Sequence, residues 1–235
     1  MKRWRLLHSG PQSEPYNMAV DMTLLTSGHP TFRIYEWAMP TLSLGHFQPY
    51  SQVLLSNSSL ASVQIVRRMT GGGAIFHHHE ITFSLILPFL SPLPRKVAPC
   101  YQFLNTLIIT SFQPLGYELS LRGGNADETD FFCYNRQNPY DLLWNQKKLI
   151  GGAQRRTSKT LLHHASIPQG PNRFSADWNY LPDSQFSERW VPEMCKILEH
   201  TFHVDLDPQP LSSQELEEVS KWESEFQSEA HLKRR

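Results

Sequence analysis

The sequence predicts an α+β fold in which a mixed, mainly antiparallel sheet packs against helices. Residues 32–37 alternate in polarity and are rich in aromatic and branched side chains, which is typical of a strand. Residues 16–25 and 101–112 repeat apolar side chains at helical spacing. Residues 140–144 and 148–150 flank a short polar segment at 145–147, and this pattern predicts a hairpin. Strands mixed with a few helices in this way indicate the α+β class.

The remaining elements follow the same two periodicities. Further strands are expected at 4–7, 64–68, 74–76, 80–87 and 161–167, and a further helix at 190–202. Three glycines at 71–73 separate two of these strands.

The end of the chain has the pattern of an appended helix. A length of 235 residues suits one large domain with a small appendage. Pro208-Gln209-Pro210 predicts a hinge, and Ser212 and Glu215 then have the spacing of a capping box. We therefore expect a main domain over 1–207 and a C-terminal helical tail over 208–235 that packs on it.

Composition limits the classes of function. The chain has 22 Lys and Arg against 22 Asp and Glu, which argues against a protein whose whole surface binds nucleic acid. The basic N-terminus meets no apolar segment, so we expect no signal peptide and no membrane association. Cys100, Cys133 and Cys195 are widely spaced, as in a cytoplasmic enzyme with reduced thiols.

The glycine triplet is the first candidate site. Gly71, Gly72 and Gly73 remove side chains from one stretch of backbone, so a ligand can approach its amides closely. Arg67 and Arg68 precede the triplet and supply donors for an anionic or carbonyl-bearing ligand. The alternative is a plain turn, which glycine clusters commonly mark.

Two further segments carry reactive side chains. Lys148 starts a strand that runs into Gly151 and Gly152, and it either enters a pocket or is a solvated turn lysine like Lys147. Cys133 lies among aromatic residues, where a cysteine is either a small apolar side chain or a nucleophile. A nucleophilic thiolate needs a cation beside it, and Lys148 would be that cation if the two segments meet.

The histidine run is a weaker candidate for chemistry. His77, His78 and His79 alternate between the faces of a strand, so they do not form a compact metal site, and His163-His164 is no stronger. We therefore expect no metal, and one histidine, His77, lining a pocket.

Five segments in this order resemble the biotin/lipoate protein ligase superfamily, most closely its cysteine-dependent octanoyltransferase branch. The resemblance runs from about residue 4 to residue 167. The segments are 17–21 (Asn-Met-Ala-Val-Asp), 33–37, 43–48, 67–76 (the Arg-Arg and glycine loop) and 77–84 (His-His-His-Glu-Ile-Thr-Phe-Ser).

The spacing of Cys133, Tyr140-Asp141 and Lys148-x-x-Gly151 is also similar to that branch. The resemblance implies a biotin/lipoate-ligase-like catalytic domain in which Cys133 is the acyl-accepting nucleophile and Lys148 stabilises its thiolate. It implies octanoyl-acyl carrier protein as donor. The acceptor would be a lysine of a lipoyl domain, either of a 2-oxoacid dehydrogenase complex or of the glycine cleavage H protein. The residues expected to bind substrate are Arg68, Gly71, Gly72, Gly73, Ala74, Ile75, Phe76, His77, Gly151, Gly152 and Ala153.

Gly73 favours a different member of the superfamily. A Gly-Gly-Gly-Ala loop resembles the lipoate–protein ligases, whereas the octanoyltransferases usually have arginine at the third position. The alternative is therefore an ATP-dependent lipoate–protein ligase that forms lipoyl-AMP and uses ATP and Mg, with Cys133 as a bystander. Octanoyl transfer itself needs no cofactor. A third possibility is a carrier-binding protein without activity, which the presence of Arg68, Cys133 and Lys148 disfavours.

Overall fold

The computed structural model describes residues 2–56, 63–126, 129–172, 174 and 179–234. Met1 and Arg235, the outer ends of the two predicted segments, lie outside these residues. The strands are β1 (Lys2–Gln12), β2 (Thr31–Trp37), β3 (Thr41–Leu44), β4 (Gln64–Arg67), β5 (Ile75–His77), β6 (Glu80–Pro88), β7 (Leu119–Leu121), β8 (Leu142–Trp144), β9 (Lys147–Ile150), β10 (Gly152–Arg156), β11 (Thr160–Pro168) and β12 (Val204–Pro208). The helices are α1 (Glu14–Ser27), α2 (Ser51–Ser56), α3 (Val97–Phe112), α4 (Phe186–Phe202), α5 (Ser213–Gln227) and α6 (Glu229–Leu232), with 3-10 turns at Gln113–Leu115 and Cys133–Asn135.

Six strands form the central sheet in the order β10-β11-β6-β2-β1-β12. β1 is parallel to both β2 and β12, whereas the other three pairs are antiparallel. The mixed, mainly antiparallel sheet predicted from the sequence is therefore confirmed. The register places Arg33, Ser84 and His164 side by side on three neighbouring strands, so their side chains share one face.

Two small sheets flank the central one, in the orders β4-β3-β5 and β7-β8-β9. The first brackets the glycine triplet, because β4 ends just before it and β5 begins just after it. In the second, β8 and β9 form the predicted hairpin. Asn145 and Gln146 make its turn with φ angles of 51° and 63°, the left-handed pair that a two-residue turn requires. Lys147 is therefore the first residue of β9 and not part of the turn.

Helices cover both faces of the central sheet. Alternation along the strands divides the core, since Leu85 and Leu161 pack toward α3 and α4 while Ile86 and Leu162 pack toward α1 and α5. Trp190 of α4 is fully buried, and its Nε1 donates to Ser111 Oγ of α3 at 2.8 Å. No helix in the described ranges has the length and apolarity that crossing a bilayer requires.

The C-terminal tail packs on the main domain through α5. The predicted capping box is present, with Glu215 N donating to Ser212 Oγ at 3.2 Å and Ser212 N to Glu215 Oε2 at 2.8 Å. Arg5 Nη1 of β1 donates to the same carboxylate at 3.0 Å. Val219 and Phe226 are buried against α1, and each such burial stabilises the fold by about 1.5–3 kcal/mol.

Of the predicted hinge at 208–210, Pro208 belongs to β12, whereas residues 209–212 connect β12 to α5 outside any strand or helix. Pro208 ends β12 and pairs with Leu6, and Gln209 N donates to Leu6 O at 3.1 Å. Proline is tolerated here because β12 is an edge strand. The predicted boundary between 207 and 208 thus falls inside β12.

Helix α1 is tied to the central sheet by a buried ion pair. Arg33 Nη1 donates to Asp21 Oδ1 at 2.7 Å, and Arg33 Nη2 donates to Asn17 Oδ1 at 2.7 Å. Burial works to raise the pKa of Asp21, but the Arg33 charge and a hydrogen bond from His164 oppose it, and the net shift is downward. Asn17 and Asp21 of the first resemblance segment therefore fix α1 to β2.

Candidate functional site

Cys133 lies beside the end of the glycine loop. Ala74 N donates to Phe131 O at 2.8 Å, and Cys133 N donates to Ala74 O at 2.8 Å. These two bonds form a short parallel bridge that joins the cysteine segment to the strand following the glycines. Cys133 then starts a single 3-10 turn and is half-buried. The loop and the cysteine, which are about sixty residues apart in the chain, therefore form one unit.

Two positions in this unit require glycine, one for a close backbone contact and one for its φ angle. A Cβ on Gly73 would lie 2.8 Å from Cys133 N and 2.9 Å from Phe131 O. Gly72 has a φ of +95°, a left-handed conformation that glycine adopts without strain. The triplet is thus a turn and a close-approach surface at once. The residue type at Gly73 follows from its contact with the cysteine segment.

Arg68 holds the glycine loop in shape. Its Nη2 donates to the carbonyl oxygens of Gly71 and Gly73 at 2.8 and 2.7 Å, and its Nη1 donates to Ser43 O at 2.9 Å. Burial lowers the pKa of Arg68 to about 10, although a negative charge on Cys133 would oppose that shift. Arg68 borders the cavity described below, but most of its hydrogen-bonding capacity serves the protein's own backbone.

Lys148 brings the predicted cation to Cys133. Its Nζ donates to Cys133 O at 2.8 Å and lies 3.9 Å from Cys133 Sγ. Asp141 Oδ1 accepts from the same Nζ at 3.0 Å and fixes the ammonium from the other side. Lys148 is 7% exposed, whereas Lys147 is exposed to solvent, as expected for neighbours on opposite faces of a strand.

The other two cysteines have surroundings that disfavour a thiolate. Burial raises the pKa of Cys100, and burial together with the charge of Glu199 raises the pKa of Cys195 to about 12. All three cysteines are free thiols. Of the three, Cys133 is the one with a lysine ammonium beside its sulfur.

A cavity lies next to Cys133, and residues that are far apart in the chain form its wall. Its unoccupied space is about 460 Å³, including its opening to solvent, and its exposed wall is mostly apolar. This site cavity is lined by Met18, Tyr35, Trp37, Ser43, Arg68, Gly71, Gly72, Ile75, His77, Thr82, Cys133, Gly151, Gly152, Ala153, His164, Ala165 and Ser166. Nine of the thirteen residues predicted for the site are therefore at its wall.

The other four predicted residues lie behind that wall. Gly73 and Ala74 are buried in the bridge to the cysteine segment, and Lys148 reaches Cys133 from beneath. Phe76 faces away from the cavity and packs edge-on against Phe174 at 4.7 Å between ring centroids. Alternation on β5 explains this, since Ile75 and His77 face the cavity and Phe76 between them does not.

Two glycines on the far wall bring β10 close to neighbouring side chains. A Cβ on Gly151 would lie 3.0 Å from Lys148 Cε. A Cβ on Gly152 would lie 2.5 Å from His163 Cε1. These glycines leave room for the side chains of Lys148 and His163.

A buried polar cluster lies on the wall of the cavity near Trp37. His77 Nδ1 is 2.6 Å from Glu80 Oε1, and His77 Nε2 is 2.7 Å from Ser43 Oγ. Glu80 Oε1 also accepts from Thr82 Oγ1 and Ser166 Oγ, each at 2.7 Å. The Trp37 ring stacks on the His77 ring with centroids 4.0 Å apart.

A second cluster fixes the start of the glycine loop. Thr70 Oγ1 lies 2.7 Å from His164 Nε2, and His164 Nδ1 lies 3.4 Å from Asp21 Oδ2. Burial lowers the pKa of His164 against the opposing effect of Asp21, so its imidazole is held neutral. The loop is thereby connected to the ion pair between α1 and β2.

Sequence reasoning missed several of these residues as members of the site. Ser43, Glu80 and His164 were not assigned to it, and Asp141 was noted only as part of a spacing. Alternation places Glu80 and Thr82 on one face of β6, but only the tertiary structure brings that face to His77. Across the described stretches of the chain, no three His, Cys, Asp or Glu side chains are grouped so that they could hold a metal ion.

Comparison with known proteins points to one family. Residues 14–192 match the family model of the lipoyl protein ligase A/B catalytic domain. An octanoyltransferase LipM from Kyrpidia tusciae is 33% identical over 181 residues, which are 71% of this chain and 66% of that protein. The octanoyltransferase LipM of Oceanobacillus iheyensis is 34% identical over 80% of this chain and 72% of its own length. That of Staphylococcus epidermidis is 26% identical over 99% of both chains.

Solved structures share the fold at lower sequence identity. Protein Ta0514 of T. acidophilum superposes with a TM-score of 0.85 at 19% identity, covering all of both chains. A bi-partite lipoate protein ligase of Thermoplasma acidophilum, solved in a study of that ligase and its E2 lipoyl domain, has a TM-score of 0.74 at 18% identity, covering 99% of this chain and 97% of its own. These likenesses confirm the predicted fold.

Proposed function

This chain belongs to the lipoyl protein ligase A/B catalytic domain family, and we propose that it is a protein octanoyltransferase. It moves an octanoyl group from acyl carrier protein onto a lysine of a lipoyl domain, through a thioester on Cys133. The observation that carries this proposal is the distance of 3.9 Å between Lys148 Nζ and Cys133 Sγ at the wall of the site cavity. The relatives named octanoyltransferase support it independently, although the match to the K. tusciae protein spans only 66% of that relative.

The first half-reaction is acylation of the cysteine. The Cys133 thiolate attacks the thioester carbonyl of the donor, and the carrier's thiol leaves. The Lys148 ammonium stabilises the thiolate before attack and the negative oxygen that develops on the carbonyl during it. Asp141 holds that ammonium in place through the contact at 3.0 Å. Lys148 thus serves as an electrostatic residue with a fixed position.

The second half-reaction forms the amide. The amine of the acceptor lysine attacks the thioester carbonyl on Cys133, the C–S bond breaks, and the sulfur leaves toward Lys148. The attacking amine must be neutral, so the ammonium of the acceptor has to lose a proton first. A stable amide then replaces a thioester.

The acyl chain is proposed to lie in the site cavity. Ile75, Gly151, Gly152 and Ala153 offer it apolar surface and close backbone approach. Arg68 and the loop from Gly71 to Gly73 shape the wall beside the thioester, and Ala74, Phe76 and Lys148 support that wall from behind. His77 also lines the cavity, next to Ser43.

ATP-dependent lipoate ligation remains the alternative to exclude by experiment. The feature that favours it is Gly73, which in this chain lies against Cys133 N. The superposed ligase structure is 18% identical and shows the fold alone. We propose that transfer needs no cofactor and that Mg-ATP is required only if the chain is a ligase.

The decisive assay offers the protein an apo-lipoyl domain and either octanoyl-acyl carrier protein or the free acid (octanoate or lipoate) as donor, with and without Mg-ATP. We expect octanoylation of the lipoyl domain from the carrier protein at the same rate with and without Mg-ATP. Octanoylation or lipoylation from the free acid that requires Mg-ATP would support the ligase. Absence of any product with either donor would support a carrier-binding protein without activity.

The same assay defines the partners. Lipoyl domains of 2-oxoacid dehydrogenases and the glycine cleavage H protein, offered side by side, show which acceptor is used. A catalytic thiol needs reducing surroundings, and both proposed partners are carrier proteins of central metabolism, which fits a cytoplasmic location.

A further inference from the structure

His77 lies where the site cavity meets a second, wider groove. This outer groove is lined by Pro40, Ile81, Gln169 and other residues of the surface around β5 and β6. Trp37 and His77 line both the groove and the cavity. An amine arriving through the groove would therefore pass His77 on its way to a thioester on Cys133, which lines the same cavity.

The hydrogen bonds of His77 define how it handles a proton. Because the Glu80 carboxylate only accepts hydrogen bonds, the contact at 2.6 Å assigns the imidazole hydrogen to Nδ1. Nε2 is then an acceptor, and the Ser43 hydroxyl at 2.7 Å donates to it. Ser43 Oγ in turn accepts from Arg68 Nη1 at 3.2 Å. The basic nitrogen of His77 thus reaches the cavity through one hydroxyl.

Glu80 has an unused oxygen in this arrangement. Its Oε1 receives His77, Thr82 and Ser166, whereas its buried Oε2 has no hydrogen-bond partner within the described part of the chain. Glu80 lines the outer groove. A buried carboxylate oxygen without a donor is costly unless a donor arrives, and an ammonium group is a donor of the right charge.

We propose that His77, held by Glu80, accepts the proton of the incoming lysine in the second half-reaction, through the hydroxyl of Ser43. This inference rests on the proposed octanoyl transfer and assigns the proton acceptor of its amide-forming step. Because His77 receives the proton through Ser43 and does not itself touch the substrate, it is a positioning residue. Lys148 keeps its separate role at the sulfur.

Two protons leave the nitrogen of the acceptor lysine during this step. The ammonium of the acceptor gives one proton to Ser43 Oγ as the Ser43 proton passes to His77 Nε2, leaving a neutral amine and an imidazolium. The amine nitrogen forms a bond to the thioester carbon, and the C–S bond breaks. The departing sulfur takes the second proton of the nitrogen and becomes the thiol of Cys133. The imidazolium then returns its proton to water.

Groups of opposite charge lie on the two sides of His77. The Glu80 carboxylate accepts from Nδ1, and Arg68 donates to the Ser43 hydroxyl that lies at Nε2. The charged and titratable groups that border His77 or the same cavity are Tyr35 on β2, Arg68 after β4, Glu80 on β6, Cys133 on its 3-10 turn and His164 on β11.

The test separates the two half-reactions in His77→Gln and in the control His8→Gln. His8 is an exposed histidine of β1 that lines neither the site cavity nor the outer groove. Octanoyl-enzyme formation is followed by intact mass with octanoyl carrier protein. Amide formation is then followed in a single turnover with apo-lipoyl domain at several pH values, with thioester hydrolysis subtracted from a sample without acceptor.

For His77→Gln we expect the ratio of amide formation to acylation to fall about 100-fold at neutral pH, a typical contribution of general base catalysis. The lost rate should return as pH rises toward the pKa of a free lysine, about 10.4, because the amine then loses its proton unaided. Glu80→Gln should show the same pattern more weakly, and it carries the test if His77→Gln does not fold.

Other outcomes overturn the inference. An equal fall in both half-reactions, or a fall in amide formation that high pH does not relieve, would make His77 a structural residue. Unchanged amide formation would exclude it as the proton acceptor. Failure of the unmodified protein to form an octanoyl-enzyme would instead refute the proposed function itself, so the two failures are distinguishable.

Discussion

Replacing Gly73 with alanine tests whether the glycine triplet positions the nucleophile. An added Cβ would lie 2.8 Å from Cys133 N, and ordinary van der Waals contact begins at 3.4 Å, so the cysteine segment must move by about 0.6 Å. Overpacking of this kind typically costs about 1–3 kcal/mol of stability. A misplacement of about 1 Å near reacting groups costs as much as about 100-fold in rate. We therefore expect acylation to slow by roughly 10- to 100-fold in Gly73→Ala.

Gly71→Ala is the matched control in the same triplet. Its Cβ would meet the exposed Phe47 ring at 3.7 Å, an ordinary contact, so stability should not change appreciably. Gly71 lines the site cavity, so the acylation rate can fall, but it should fall less than in Gly73→Ala. Thermal melts and single-turnover acylation on the same preparations separate the two effects. The melting temperature of Gly73→Ala should fall by about 2–4 °C for each kcal/mol lost. Equal acylation rates in the two variants would refute the idea that Gly73 is required by the approach of Cys133.

Two further predictions concern Lys148 and His163. Lys148→Ala should reduce acylation by about 100-fold or more, as removal of one fixed electrostatic donor typically does, while the exposed Lys147→Ala should not; equal losses in single-turnover acylation would refute the face assignment. Burial lowers the pKa of His163 from 6.5 to about 3, so the unfolded chain binds the proton first and stability falls as pH drops from 6.5 toward 3. Between pH 7 and pH 5 the free energy of unfolding should fall by about 2 kcal/mol through this group. Denaturant melts of His163→Leu should lack that loss, whereas the exposed control His8→Gln should keep it. A loss in His163→Leu as large as in the unmodified protein, or an equal reduction of the loss in His8→Gln, would contradict the prediction.

Much of the fold could be predicted from local patterns. The alternation in β2 and the helical spacing in α1 and α3 identified elements whose apolar faces are buried in the observed core. Strands without such a pattern escaped. β10 begins at Gly152 and is otherwise mostly polar, and it is a strand because β11 pairs with it along one edge. β12 also escaped, and only its last residue, Pro208, was part of the predicted hinge. Its pairing with β1 depends on a contact about two hundred residues away in the chain.

The site, like the fold, could be predicted only in part. The residues alone left the meeting of Cys133 and Lys148 as a condition, and the family resemblance favoured it. The structure places Lys148 Nζ 3.9 Å from Cys133 Sγ. The donors of Arg68 were expected to face a ligand. In the structure they donate to carbonyl groups of the loop. The partners of His77 also escaped, because Ser43 and Glu80 come from different sheets and meet only in the folded chain.

Whether Cys133 accepts the acyl group is tested most directly by the intact mass of the protein after mixing with octanoyl-acyl carrier protein alone. We expect an adduct of one octanoyl group that hydroxylamine removes. The adduct should persist in Cys100→Ala and Cys195→Ala and be absent from Cys133→Ala. Burial raises the pKa of Cys100 and of Cys195, which keeps both thiols protonated and unreactive. An adduct that survives in Cys133→Ala, or none in the unmodified protein, would contradict the claim that Cys133 is the acyl-accepting nucleophile.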